Sequence, residues 1–154
     1  MEQIKKAGTF QFKENWKLET VDKATGKVLQ SEEKCNVIVN AGLGRMARLL
    51  NGVSSTYYRA LAVGTGTSNP TDVTQTALAT EVYRSAATLT NGTYTAVFEH
   101  TFTFGEDNAI TEAGIFDSAT VSGSTMLART VFAAKNVSTT VSLIVTATIT
   151  VARV

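Results

Sequence analysis

The chain has 154 residues, with 14 Lys/Arg against 13 Asp/Glu and a formal net charge of +1. That length suits one domain with a sizeable core, and 44% hydrophobic residues exclude disorder as a description of the whole chain. Only 18% of residues are charged, against roughly 25% in an average soluble protein, so the surface is unusually neutral and no strong polybasic footprint for nucleic acid exists.

Lysine and glutamate alternate between residues 13 and 34, the pattern of a solvated strand face rather than a charged patch. The 25 Thr and single Pro favour strands, because branching at Cβ suits a pleated sheet. Cys35 is the only cysteine, which excludes an intrachain disulfide, a redox pair and a Cys-rich zinc site. A buried, inert thiol is expected there. No segment approaches the ~18 apolar residues of a membrane helix, and Met1–Lys6 lacks the apolar core of a secretory signal, so a soluble intracellular product with no membrane partner is expected.

Residues 1–8 read as a flexible N-terminal arm and 9–154 as a single β-rich domain. Residues 9–21 place Phe10, Phe12, Trp16 and Leu18 on one parity and Lys13, Asn15, Lys17 and Glu19 on the other, a half-buried strand with Glu14 intruding on its apolar face. Asp22 to Gly26 predicts a turn, since Gly26 tolerates positive φ and the Asp22 carboxylate can bond nearby backbone, making 9–39 a hairpin. From Asn40 the spacing of Leu43, Met46, Ala47 and Leu50 predicts a short helix, about residues 41–51, capped by Asn40 and ended by Asn51-Gly52. Residues 57–63 return to strand and run into a polar loop from Gly64 to Pro70, while 71–80 has room for one helical turn around Ala77-Leu78-Ala79.

From Glu81 onward strands follow closely. Asn91-Gly92 signals a hairpin, and after it Tyr94, Ala96, Phe98, His100, Phe102 and Phe104 share one face. Residues 110–116 and 125–132 form a pair joined by the loop around Ser122-Gly123-Ser124. The last strand sets Val141, Leu143, Val145, Ala147, Ile149 and Val151 against Ser142, Thr146, Thr148 and Thr150. At least seven strands and one short helix predict a mainly β chain, an antiparallel β-sandwich or barrel-like domain. Phe10, Trp16, Phe98, Phe102, Leu143 and Ile149 are its expected core.

Catalytic chemistry is sparse. Gly42-Leu43-Gly44-Arg45-Met46-Ala47 fits a dinucleotide-binding string in form, yet no acidic ribose partner occurs in Tyr57–Val63, so a tight strand-to-helix entry is the better reading. Gly64-Thr65-Gly66-Thr67 lacks the Lys-Ser/Thr pair of a P-loop. His100, the sole histidine, sits on an aromatic face and suits a core edge or subunit contact better than a general base. Glu106-Asp107-Asn108 with Glu112 could offer oxygen ligands to a hard cation, but the EF-hand spacing is absent and a solvated loop outweighs it. A third class, a carbohydrate-binding sandwich, would have to use Trp16 or Tyr57-Tyr58 as stacking platforms. No enzyme, cofactor or metal is therefore expected.

Several strings together resemble tailed-bacteriophage virion proteins: Trp16-Lys17-Leu18 with Asp22–Val28, Asn36–Leu43, Ala62–Pro70, Ile110–Asp117, and Met126–Phe132. The resemblance implies a structural component of the virion, made in the host bacterial cytoplasm. It fits a head decoration, or cement, protein that bridges subunits of the major capsid protein, and it implies a homotrimer. A tail, collar or fibre-associated protein is the alternative, with residues 64–76 and 105–109 as joining surfaces. In the decoration reading the arm bearing Lys5 and Lys6 orders against the shell, and Thr65, Thr67, Asn69, Glu106 and Asp107 form capsid or subunit contacts.

Overall fold

The structure, a computed structural model, describes residues 9–153. The expected arm with Lys5 and Lys6 lies outside the described residues. In chain order the elements are β1 (Phe10–Asp22), β2 (Val28–Lys34), β3 (Val37–Ile38), α1 (Asn40–Leu50), β4 (Ala60–Gly64), β5 (Glu81–Ala86) and β6 (Thr88–Asn91). These are followed by β7 (Thr95–Phe102), β8 (Asn108–Phe116), β9 (Met126–Val137) and β10 (Val141–Arg153).

The strands form two five-stranded sheets, β2-β1-β10-β7-β6 (sheet A) and β3-β9-β8-β4-β5 (sheet B). Every pairing is antiparallel and both sheets stay open, so the domain is a sandwich and not a barrel. Between the sheets lie Trp16, Leu18, Leu61, Val63, Phe98, Phe102, Ile115, Leu143 and Val145, all buried. An ion pair between Glu32 on edge strand β2 and Lys135 on β9 ties one sheet to the other.

The two sheets differ on their outer faces, and this explains their sequences. Sheet A turns Lys13, Asn15, Thr146, Thr148 and Thr150 away from the core, so β1 and β10 alternate cleanly. Sheet B is covered on both faces. Leu61 and Val63 enter the main core, while Ala60 and Ala62 join Val39, Leu78, Phe116 and Met126 in a second cluster beneath α1 and the 65–80 loop. Strand β4 therefore reads as an unbroken apolar run.

The β1–β2 turn forms as its residues dictate: the Asp22 carboxylate accepts from the backbone N–H groups of Ala24 and Thr25, and Gly26 takes φ +72°. After Lys34 the chain leaves sheet A through Cys35 and Asn36 and enters sheet B as β3. Cys35 is exposed at this crossing, contrary to expectation, because neither sheet continues over it. Gly42 marks a close approach of α1 to β9: a Cβ there would lie 2.5 Å from the Leu127 carbonyl oxygen. With β3 antiparallel to β9, the glycine-rich string opens no parallel βαβ unit.

Other expectations need correction. Asn40 is the first helical residue and does not cap with its side chain; its N–H donates instead to the Val73 carbonyl, 2.8 Å away. Residues 71–80 hold no helix, because the N–H groups of Ala79 and Thr80 are drawn to Glu112 rather than to a local carbonyl. The β6–β7 link spans Gly92–Tyr94, and Gly92 takes no positive φ. Phe10 is 57% exposed, since it pairs with Arg153 at the tip of sheet A, where sheet B supplies no strand opposite. The other expected core residues, Trp16, Phe98, Phe102, Leu143 and Ile149, are buried. Glu14 is also buried, on the inner face beside Trp16, and neither of its carboxylate oxygens has a hydrogen-bond partner.

Candidate functional site

The residues singled out from the sequence collect at one end of the sandwich. Thr65, Thr67 and Asn69 follow β4, while Glu106 and Asp107 precede β8, and β4 pairs with β8 so that Gly64 lies opposite Glu112. Both loops thus leave the same end of sheet B. All five side chains are exposed. The β1–β2 and β9–β10 turns flank them, held together where Lys23 donates from its backbone to Thr140 O (3.0 Å) and from Nζ to Thr139 O (2.7 Å). Between the 105–109 loop and the β9–β10 turn, an open depression of about 510 Å³ is bordered by Asp107, Asn108, Asn136 and Ser138.

What fixes this end is a buried charge pair. Glu112 on β8 is fully buried and meets Arg129 of β9, with Nε at 2.9 Å and Nη2 at 2.8 Å from its Oε2. Its carboxylate also accepts from three backbone N–H groups, Gly66 (3.1 Å), Ala79 (3.0 Å) and Thr80 (2.7 Å). Arg129 Nη1 donates to the carbonyls of Ser68 and Asn69. One ion pair therefore holds both ends of the 65–80 loop against sheet B, and Thr65, Thr67 and Asn69 project from a braced backbone. Such a network is stable because nearly every desolvated atom has a partner, whereas losing one member strands a charge.

This pair settles two further sequence readings. Glu112 is committed to Arg129 and the loop amides, so it does not join Glu106 and Asp107 in a cation site. Among the described residues no group of three or more His, Cys, Asp or Glu side chains is arranged to hold a metal ion. The glycines at 64 and 66 serve the approach of this loop to Glu112, with the Gly66 N–H turned to its carboxylate. The pairing was missed at the sequence level, although a signal exists. Glu112 and Arg129 are single opposite charges inside two apolar strand-like runs, and such runs neighbour each other when a short loop joins them.

A second buried constellation closes the opposite side of sheet B. Asp117 binds Arg45 of α1 at 3.0 Å and accepts the Thr125 N–H at 2.7 Å, docking the helix on the strand ends. Arg84 pairs with Glu81, donates to Ser118 O and Ser124 Oγ, and lies 3.6 Å above the Phe116 ring centroid. Its role is to pin the 118–124 loop.

At the other end of sheet A lies an apolar groove of about 520 Å³. It exists because the sheets are unequal. β1 and β10 each run 13 residues, roughly 44 Å, while in sheet B only β9, with 12, approaches that length, β8 having nine and β4 five. Among the described residues, the inner face of Phe12, Ile149 and Val151 is roofed by Met46 and Leu49 of α1 and by Tyr57, Tyr58 and Leu127. Around the mouth Tyr94 is 71% and Tyr57 54% exposed. Trp16, by contrast, is fully buried and offers no stacking platform, and Tyr58 is buried with its hydroxyl unpaired. His100 packs edge-on to Phe102 at 4.6 Å between centroids, and burial holds its imidazole below the usual range.

No protein-family model, curated protein or solved structure matches this chain. The likeness to phage virion proteins rests on the quoted sequence strings alone.

Proposed function

We propose that the protein is a structural component of a tailed-phage virion, a decoration protein that binds the outer head surface and bridges neighbouring capsid subunits as a homotrimer. The observation that carries this reading is the braced polar end, where Thr65, Thr67 and Asn69 stand on a loop clamped by Glu112 and Arg129 and Glu106 and Asp107 leave the same end of sheet B. Contacts offered from a fixed backbone lose little conformational entropy on binding. Weak contacts repeated around a lattice then sum through multivalency. A near-neutral surface lets copies sit side by side without long-range repulsion. Open sheet edges at β2, β3 and β5 give an oligomer something to cover.

The test is the number of copies in purified virions, counted by quantitative mass spectrometry against the major shell protein. Copies comparable with the shell protein are expected. A handful per particle would overturn the decoration role and move the protein to the tail, collar or fibre.

A further inference from the structure

The apolar groove is continuous with an unguarded sheet edge. Strand β6 ends sheet A, is exposed along all four residues, and pairs with β7 in regular register without a bulge. Its sequence, Thr88-Leu89-Thr90-Asn91, carries no lysine or proline of the kind that discourages strand addition. Leu89, Thr90 and Asn91 also line the groove, so a chain pairing with the free edge of β6 would bring alternate side chains to it.

Charge selects the occupant. Among the described residues, no charged side chain lines the groove. Two arginines stand at its rim: Arg59, whose guanidinium lies 5.2 Å from the Tyr57 ring centroid, and Arg153, the next residue after Val151 on the same strand face. Both are exposed. The carboxylate on the inner face of β1, Glu14, is buried beyond Phe12 and does not reach the rim. Two copies placed mouth to mouth would set arginine against arginine, with no acid of the described residues between them.

We propose that the groove receives an extended segment of a neighbouring structural protein, with apolar side chains at alternate positions and carboxylates at one end. The segment's backbone pairs with β6, its apolar side chains fill the space between Leu89, Met46, Leu49 and Tyr57, and its carboxylates meet Arg59 and Arg153. That the partner is a structural protein rests on the assembly role proposed above; the chemistry of the groove does not.

The experiment titrates the full, isotopically labelled chain with an eight-residue synthetic peptide that alternates leucine and threonine behind two glutamates. The comparison peptide opens with two lysines instead. Amide shifts should cluster at residues 57 and 89–91, and the acidic peptide should bind about tenfold more tightly. The double variant Arg59→Glu/Arg153→Glu should reverse that preference, and Leu89→Glu, at a half-exposed position that leaves the fold intact, should abolish both. Equal binding of the two peptides, shifts away from the groove, or none at millimolar peptide would overturn the proposal. Concentration-dependent self-association removed by Leu89→Glu would overturn it too, assigning the groove to a second copy. Because the titration uses purified protein, its outcome is independent of the virion copy number, and the two readings fail separately.

Discussion

Replacing Glu14 by glutamine should stabilise the protein above neutrality and change little in acid. Burial on the inner face of β1 pushes the Glu14 carboxyl up from 4.5 to about 7; the Trp16 indole and the Asn36 backbone lie close enough to offset part of that rise. A carboxyl with a raised folded-state pKa binds its proton more tightly folded than unfolded, so its contribution is complete below about pH 4.5 and is lost as pH climbs towards 7. The interval from 4.5 to about 7, at about 1.4 kcal/mol per pH unit, amounts to about 3 kcal/mol. Glutamine occupies the same space without ionising. The stability difference between Glu14→Gln and wild type should therefore grow from near zero at pH 4 to about 3 kcal/mol at pH 8, or about 6–12 °C in Tm for a chain of this size. Urea unfolding of both proteins across that range measures it, and taking the difference cancels every other titrating group. A difference that stays flat would refute the reasoning, since it would mean that the carboxylate is solvated or paired in the folded chain.

Arg129→Met should cost about 3–5 kcal/mol in chemical unfolding by leaving Glu112 buried without its counter-charge. The amides of Gly66, Ala79 and Thr80 should then lose hydrogen-exchange protection ahead of those in β10. Gly42→Ala and Gly44→Ala should move in opposite directions in thermal unfolding. The first drives a methyl into the Leu127 backbone and should lose ~1–3 kcal/mol; the second meets open space inside a helix and should gain ~0.5–1 kcal/mol. Trp16→Ala should cost ~3–5 kcal/mol as a fully buried aromatic. Cys35 should react stoichiometrically with a thiol reagent under native conditions, and protection until unfolding would contradict its exposed position.

Where the backbone sees an alternating environment, the sequence is legible. β1 and β10 each have one wet and one dry face, so their period of two predicted both strands and most of their buried residues. The Asp22–Gly26 turn was equally readable, because the groups that close it are neighbours in sequence. Legibility failed where the deciding partner is remote. Ala77-Leu78-Ala79 has local helix propensity, but the carboxylate that claims the nearby amides sits on a strand more than thirty residues later. Phe10 continues the apolar parity of β1, yet its burial depends on how far sheet B extends, which no local pattern encodes. The groove was invisible for the same reason. Phe12, Leu49, Tyr57 and Leu89 converge only through the unequal strand lengths of two sheets. The exposed loop residues Thr65, Thr67, Asn69, Glu106 and Asp107 were found from composition, but the brace beneath the first three was not.

Strand β10 pairs with β1 along thirteen residues and with β7 on its other side, so the last of the described strands is the middle of sheet A. During synthesis β1 and β2 must wait as a two-stranded ribbon, and β6 and β7 as another, with their apolar faces uncovered until β10 emerges between them. Completion of sheet A thus waits for β10, and is slow because the contacts it makes span most of the described sequence. A chain cut before Val141 would carry two half-sheets with facing, unsatisfied edges. The same arrangement sets Phe10 beside Arg153, so a circular permutant that joins these ends and opens the chain in the 117–125 loop would keep every strand pairing.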